Sequence, residues 1–191
     1  WEYEPIHHQP TRIVDPRGAI TLLAYDENGN LINKIEAAGT PIARTNAWVY
    51  NNLNQMLRRI DGRGNKLDYV YDARGNLIRQ FDPANGAHQA TYAYDGTGNR
   101  IAITNALGNL TLYAYDAMGR LIAETNALSH GTLYTYTNNL LMQVETGRDG
   151  ANRGRIVRYR YDNAGRRIQT LRVDENDVEH VWETTTYGSD G

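Results

Sequence analysis

The 191-residue chain carries 20 Lys and Arg against 22 Asp and Glu, a net charge of −2, with 14 Tyr but 1 Phe, 18 Gly and no Cys. No apolar run approaches the ~18 residues of a membrane-crossing helix. The missing Cys removes disulfide frameworks, thiolate metal sites and cysteine nucleophiles, and near-neutral charge argues against general polyanion binding. A hydrophobic share of 40% is low for one large packed core, yet too high and too evenly spread for a disordered chain.

Residues 1–11 read as an N-terminal flank with no basic or apolar leader region, and His7-His8 as a surface pair within it. From residue 12 a repeat governs the chain. Tyr-Asp-x-x-Gly occurs at Tyr25-Asp26 with Gly29, Tyr71-Asp72 with Gly75, and Tyr94-Asp95 with Gly98. It recurs at Tyr115-Asp116 with Gly119 and at Tyr161-Asp162 with Gly165. Degenerate copies start at Tyr50 and Tyr136, and another Tyr stands at 187, giving spacings of 21 to 26 residues. A second turn alternates with the first: Asp15-Pro-Arg-Gly18, Asp61-Gly-Arg-Gly64 and Asn105-Ala-Leu-Gly108, with longer versions at Asp82–Gly86 and Asn126–Gly131. Turns every ~10 to 13 residues are those of an all-β chain.

The turn has a local cause. Asp or Asn at its first position bonds the backbone two residues on, and Gly at the fourth adopts the left-handed conformation without steric cost. The product is a type I turn with a left-handed residue closing a hairpin. Asn54 replaces Gly in the copy at Tyr50, and Asn is the next best choice. Leu140 occupies that position in the copy at Tyr136, so the turn there is expected to shift to Asn138-Asn139.

Between turns lie segments of 5 to 8 residues rich in Tyr, Leu, Ile, Thr and Val. Each principal turn follows an aromatic-x-Tyr: Trp48-Val-Tyr50, Tyr69-Val-Tyr71, Tyr92-Ala-Tyr94, Tyr113-Ala-Tyr115, Tyr134-Thr-Tyr136 and Tyr159-Arg-Tyr161. Period 2 puts both aromatics on one face and the variable middle residue on the other. The aromatic face is expected to pack as ladders of like residues along the sheet. Residues 36–47, with Gly39 and Pro41, read as a long inter-repeat loop. Residues 12–172 form an array of about seven to eight repeats. Residues 173–191 are a divergent final repeat or a C-terminal flank.

These units resemble the RHS, or YD-repeat, family over nearly the whole chain. The resemblance implies an all-β fold in which tandem antiparallel hairpins form a curved or spiralling sheet, part of a YD-repeat shell. In that family the shell encloses the C-terminal part of its own polypeptide, often a toxin. Members include type VI secretion effectors, toxin-complex C components and the related teneurin shells. The chain lacks the family's terminal core segment. Asp15-Pro-Arg-Gly-Ala19 is similar to its Asp-Pro cleavage motif but falls in the phase of a second turn.

No catalytic constellation emerges. Ser129 and Ser189 lack a nucleophile-elbow context, and the regular aspartates occupy one turn position. The five His show no ligand spacing, and no cofactor or metal is expected. Arg148, Arg153, Arg155, Arg158, Arg160, Arg166, Arg167 and Arg172 cluster late. They read as a solvated face balanced by nearby acids, not as a nucleic-acid site. In a shell, Arg158 and Arg160 become candidate cargo contacts, with Trp48 and Trp182 as candidates for ligand stacking. The expectation is a non-catalytic structural segment of a secreted or cell-surface bacterial protein. Its partners are the rest of its own polypeptide or a toxin cargo, with no membrane insertion. The alternative is a cell-surface module binding carbohydrate or protein. Two unpaired strand edges add an expectation of self-association.

Overall fold

The computed structural model describes residues 1–149 and 152–188. Its regular structure is entirely β, in two compact units, Trp1–Tyr92 and Ala93–Gly191. The first unit runs through β1 (Glu2–Tyr3), β2 (Pro10–Val14), β3 (Ile20–Tyr25), β4 (Leu31–Glu36), β5 (Arg44–Tyr50), β6 (Met56–Ile60), β7 (Lys66–Tyr71) and β8 (Leu77–Phe81). Strand β9 (His88–Tyr94) contains the boundary. The second unit continues through β10 (Arg100–Asn105), β11 (Leu110–Tyr115), β12 (Leu121–Thr125), β13 (His130–Thr137), β14 (Leu140–Asp149), β15 (Arg155–Tyr161), β16 (Arg167–Val173) and β17 (Glu179–Thr184). Within each unit every strand pairs antiparallel with the next, a meander of hairpins.

The turns form as the residue chemistry requires. Gly29, Gly75, Gly98, Gly119 and Gly165 have φ between 76° and 90°, and Asn54 takes the same conformation at 60°. Asn138 and Asn139 both have positive φ and join Thr137 to Leu140 as a two-residue hairpin, the expected shift of that turn. At Asp82 the loop is one residue longer, closed by Asp82 N–H donating to the Ala87 carbonyl at 2.9 Å.

Three details correct the sequence reading. The loop at Asn126 is of ordinary length: Asn126 N–H donates to the His130 carbonyl at 3.0 Å, and Ser129, not Gly131, is left-handed at φ 61°. Gly131 lies inside β13. Residues 44–47 belong to β5, so the long loop shrinks to 37–43. Residues 1–11 have the form of a hairpin: Tyr3 ends β1, and the Glu4 carboxylate accepts backbone N–H groups from Ile6, His7 and Gln9 at 2.7 to 3.0 Å. Glu4 thus closes a longer loop much as Asp closes the others.

A β-bulge follows six of the principal turns, those after Tyr25, Tyr50, Tyr71, Tyr115, Tyr136 and Tyr161. Val49 faces Arg58 while Tyr50 faces Met56, leaving Leu57 as the extra residue. The same offset leaves Ile32, Ile78, Ile122, Met142 and Ile168 as extra residues in later or earlier hairpins. An apolar residue is therefore inserted beside each of these six tyrosines, bending the strand and increasing local twist.

Candidate functional site

The chemistry of the chain is concentrated in a recurrent unit, loop plus tyrosine, and in the two unlike sheet faces it creates. The loop at Asp72 is representative. Its Oδ1 accepts N–H groups from Arg74 at 2.9 Å and Asn76 at 2.8 Å, and its Oδ2 accepts the Asn76 side-chain amide at 3.0 Å. Gly75 N–H donates to the Asp72 carbonyl at 3.0 Å. These donors favour the ionised carboxylate. Side-chain bonds from Asn30, Asn76 and Arg120 lead in holding Asp26, Asp72 and Asp116 below the usual carboxylate range. For Asp162 the leading cause is the backbone N–H of Arg166. Asp95, which also accepts the Thr97 hydroxyl at 2.7 Å, is lowered to about 2.

Five of the repeat tyrosines reach sideways. Tyr71 donates its hydroxyl to the Met56 carbonyl at 2.9 Å. Tyr25 donates to Pro10, Tyr115 to Arg100, Tyr161 to Leu141 and Tyr187 to Arg167, at 2.7 to 3.0 Å. Each acceptor lies at the start of the preceding strand. Pairing of β6 with β7 runs only as far as Arg58 opposite Asp68, beyond which the two strands lead into different loops. The hydroxyl spans that gap. Burial of the rings raises the phenol pKa of Tyr25, Tyr71 and Tyr161.

Successive principal loops also touch. Asn30 Nδ2 donates to Asn54 Oδ1 at 2.9 Å, Gln55 Nε2 to the Gly75 carbonyl at 3.2 Å, and Arg120 Nη1 to Asn139 Oδ1 at 3.1 Å. In each case the residue after one left-handed position meets the left-handed residue of the next loop.

The expected ladder of like aromatic rings gives way to a different packing. One repeat is two strands wide, so equivalent rings lie ~9.6 Å apart, beyond the 4.5–7 Å of ring contact. Arginines fill the interval. Arg120 lies 4.7 Å from the Tyr136 ring centre while bonding Asp116, and Arg166 lies 4.6 Å from Tyr187 while bonding Asp162. Arg100 and Arg167 sit over Tyr113 and Tyr159 at 5.5 and 5.4 Å.

Residues directly opposite in a pair share a face. Trp48, Arg59, Tyr69 and Gln80 stand on the tyrosine face, and Val49, Arg58, Asp68, Val70 and Phe81 on the other. The middle residues Ala24, Val49, Val70, Ala93, Ala114, Thr135 and Arg160 are all exposed, whereas their flanking tyrosines are half-buried.

Arg158 and Arg160, on this variable face, are drawn into ion pairs. Arg158 Nε donates to Gln143 at 2.9 Å, and its other nitrogens reach Glu179 at 3.2 Å and Asp177 at 3.1 Å. Arg160 pairs with Glu179, and Arg153 with Asp177. The Arg158 guanidinium thereby crosses β16, where Leu171 is only 2% exposed. Beside it Glu145, 6% exposed, accepts the Gly154 N–H at 2.8 Å. Trp182 belongs to β17, exposed but covered on its ring by Arg172, while Trp48 lies half-buried in the first unit. Arg158 and Arg160 thus meet through Glu179, and Trp182 stacks against Arg172. Ser129 occupies a left-handed loop position, and Ser189 lies outside the described residues. Among the described residues no three His, Asp or Glu side chains converge as a metal site, and no helix is long and apolar enough to cross a membrane.

Sequence reasoning missed the bulges. They had a signal: the apolar doublets Leu31-Ile32, Leu77-Ile78 and Leu121-Ile122 break strand alternation directly after the turn. The balance of the late arginines by nearby acids was legible, and Arg153, Arg158 and Arg160 do pair with Asp177 and Glu179; the individual partners were not, because Arg158 and Glu179 meet across an intervening strand.

The RHS Repeat family model matches residues 71–109 and 94–130. No curated protein is similar to the chain in sequence. The crystal structure of TcdB2-TccC3 without its hypervariable C-terminal region is similar over 96% of this chain and 12% of that one, with 17% identity and a TM-score of 0.69. Structures of TcdB2-TccC3-Cdc42 and of TcdB2-TccC3 match 88% and 91% of this chain and 13% and 14% of theirs, at 18% and 17% identity, both with a TM-score of 0.56. These likenesses establish a shared fold, of which this chain spans a small part. Residues 71–130 are thus similar to the RHS Repeat family, and phased Tyr-Asp-x-x-Gly loops continue on both sides of that span.

Proposed function

We propose that this chain is a structural, non-catalytic stretch of a β-shell that encloses a toxin or effector domain of a longer, secreted bacterial polypeptide. The observation that carries the reading is the repeat geometry itself. Loop, tyrosine clip and bulge recur in phase, and the named side-chain clusters are consumed in holding hairpins together. The likeness to TcdB2-TccC3, one structure of which was determined without a hypervariable C-terminal region, supports it. On this reading the repeat array extends beyond residues 12–172. The Glu4 loop is a degenerate first copy. Residues 174–178 form a divergent last loop, in which Asp174 Oδ1 accepts Asn176 and Val178 N–H and Asp177 is left-handed.

Limited proteolysis of the polypeptide encoded by the complete reading frame tests the proposal. A segment outside the repeats should resist cleavage until the repeat sheet is unfolded. Cleavage of every non-repeat segment as fast as when made alone would reject encapsulation.

A further inference from the structure

Two Asn-Gly pairs occur in the chain, Asn28-Gly29 and Asn85-Gly86, and both asparagines are exposed in hairpin loops. Such a pair is open to an internal reaction, because glycine has no Cβ to hold its nitrogen away from the preceding side-chain carbonyl. The two loops present the pair differently.

The loop from Asp26 to Asn30 is closed by its aspartate. Asp26 Oδ1 accepts the N–H groups of Asn28 at 3.0 Å and Asn30 at 2.8 Å, and Oδ2 accepts the Asn30 side-chain amide at 3.0 Å. Gly29 is half-buried against the His7 imidazole, so that a Cβ on it would lie 3.4 Å from that ring. Among the described residues, no group donates to the Asn28 side-chain carbonyl.

The loop from Asp82 to Ala87 is one residue longer, and the aspartate no longer spans it. Asp82 Oδ1 accepts the Ala84 N–H at 2.9 Å. The bond that Asp26 makes to the residue after its glycine is made here by Asn85, whose Oδ1 accepts the Ala87 N–H at 2.8 Å. This bond closes a ring around the Asn85–Gly86 peptide. It also sets a fixed donor on the carbonyl oxygen, where negative charge develops when a nucleophile adds to Cγ. Gly86 is exposed, with no atom within 4 Å of an added Cβ, so water and base reach its nitrogen. Gly86 N–H donates to the Asp82 carbonyl at 2.8 Å, as Gly29 N–H does to Asp26 at 3.0 Å. That bond must open in either loop and does not distinguish them.

We propose that Asn85-Gly86 is a self-modifying site, which gains a carboxylate as the folded protein ages. The Gly86 nitrogen gives its proton to solvent base and bonds to Asn85 Cγ. The Cγ–Nδ2 bond breaks, and Nδ2 leaves as ammonia with a proton taken from solvent. Water then opens the resulting succinimide. Opening at Cγ leaves aspartate at position 85. Opening at the main-chain carbonyl carbon leaves isoaspartate, in which the backbone runs through Cβ and Cγ. The isoaspartyl form lengthens the connection between β8 and β9, whose pairing includes Phe81 opposite His88.

The test incubates the 191-residue chain at mildly alkaline pH, folded and in urea. Trypsin releases residues 18–34 and 80–100 as separate peptides. Electron-transfer fragmentation then locates the mass gain and separates isoaspartate from aspartate. In the folded chain, conversion at Asn85 should run roughly tenfold faster than at Asn28, the factor supplied by a hydrogen bond worth about 1.4 kcal/mol in the transition state. In urea the two rates should be alike. Gly86→Ala should slow conversion by setting a methyl group beside the attacking nitrogen, and circular dichroism verifies that this variant keeps its sheet.

Equal rates in the folded chain, faster conversion at Asn28, or an unchanged Asn85 would overturn the proposal. A preference for Asn85 that persists in urea would overturn it as well, since local sequence and not the folded loop would then set the rate.

Discussion

Gln55 Nε2 donates to the carbonyl of Gly75, twenty residues on, at 3.2 Å, and a Cβ placed on Gly75 would lie 3.0 Å from that same nitrogen. The glycine therefore serves two demands. Its φ of +88° is one that an L-residue adopts at a cost of roughly 1–2 kcal/mol, and its missing side chain admits the neighbouring loop. Gly75→Ala should destabilise more than Gly98→Ala, which has a similar φ of +90° but no atom within 4 Å of the added Cβ. Gly75→Val should cost roughly 1–3 kcal/mol. Equal urea midpoint shifts for the two alanine variants would show that loop contact adds nothing to the backbone strain.

The tyrosine clips are testable without disturbing the rings. Tyr71→Phe leaves the Met56 carbonyl without its 2.9 Å donor in a half-buried place, and the loss should be about 0.5–1.5 kcal/mol. Tyr115→Phe removes a 3.0 Å bond in an exposed place, where water replaces the hydroxyl, so its effect should be smaller. Chemical denaturation of both variants checks the order, and an equal or reversed order would show that the hydroxyls do not stabilise through desolvated bonding.

What could be read from the sequence was whatever one loop decides for itself. Asp72, Gly75 and Asn54 fix their turns through bonds spanning four residues, so composition alone placed them. Asn126–Gly131 was misread because Ser129 and Gly131 both competed for the left-handed position, and the five-residue closure from Asn126 to His130 selects the serine. The Glu4 loop escaped notice because the carboxylate is one carbon longer and a different loop length suits it. The packing of the tyrosine face was misjudged for a metrical reason: the sequence repeats per hairpin, but rings meet per strand. Arg120 over Tyr136 and Arg58 against Asp68 depend on which strand comes between, and that is a property of the sheet.

The Arg58–Asp68 pair offers a measure of how much cross-strand charge contributes. Its two bonds are short and parallel, and the Arg58 hydrogen bond leads in holding Asp68 below the usual carboxylate range. Arg58 is 38% exposed, so solvent screens much of the attraction and Asp68→Asn should cost about 1 kcal/mol at most. The difference from the parent should shrink between low and high salt. A salt-independent difference would assign the effect to packing around Phe81 instead.

Acid unfolding gives the most general test of the loops, because the same depressed carboxylate recurs at Asp26, Asp72, Asp95, Asp116 and Asp162. A carboxyl with a folded pKa below its unfolded value of about 3.9 binds its proton more readily in the unfolded chain. Its contribution is therefore fully present above that value and is lost as pH falls through the folded pKa. For Asp95 this places the loss between the ordinary value and about 2, with the other loops declining over the same side of the scale. Stability should accordingly be level from neutral pH to about 5 and then fall cooperatively. Asp95→Asn keeps a turn-forming acceptor but cannot titrate. It should be less stable than the parent at pH 7, and the gap should close as the solution is acidified, because protonation brings the parent's loop to the same uncharged condition. Urea titrations at several pH values measure both quantities. A gap that stays constant down to the acid limit would mean that the carboxylate charge contributes nothing and that hydrogen-bond shape alone closes the loop.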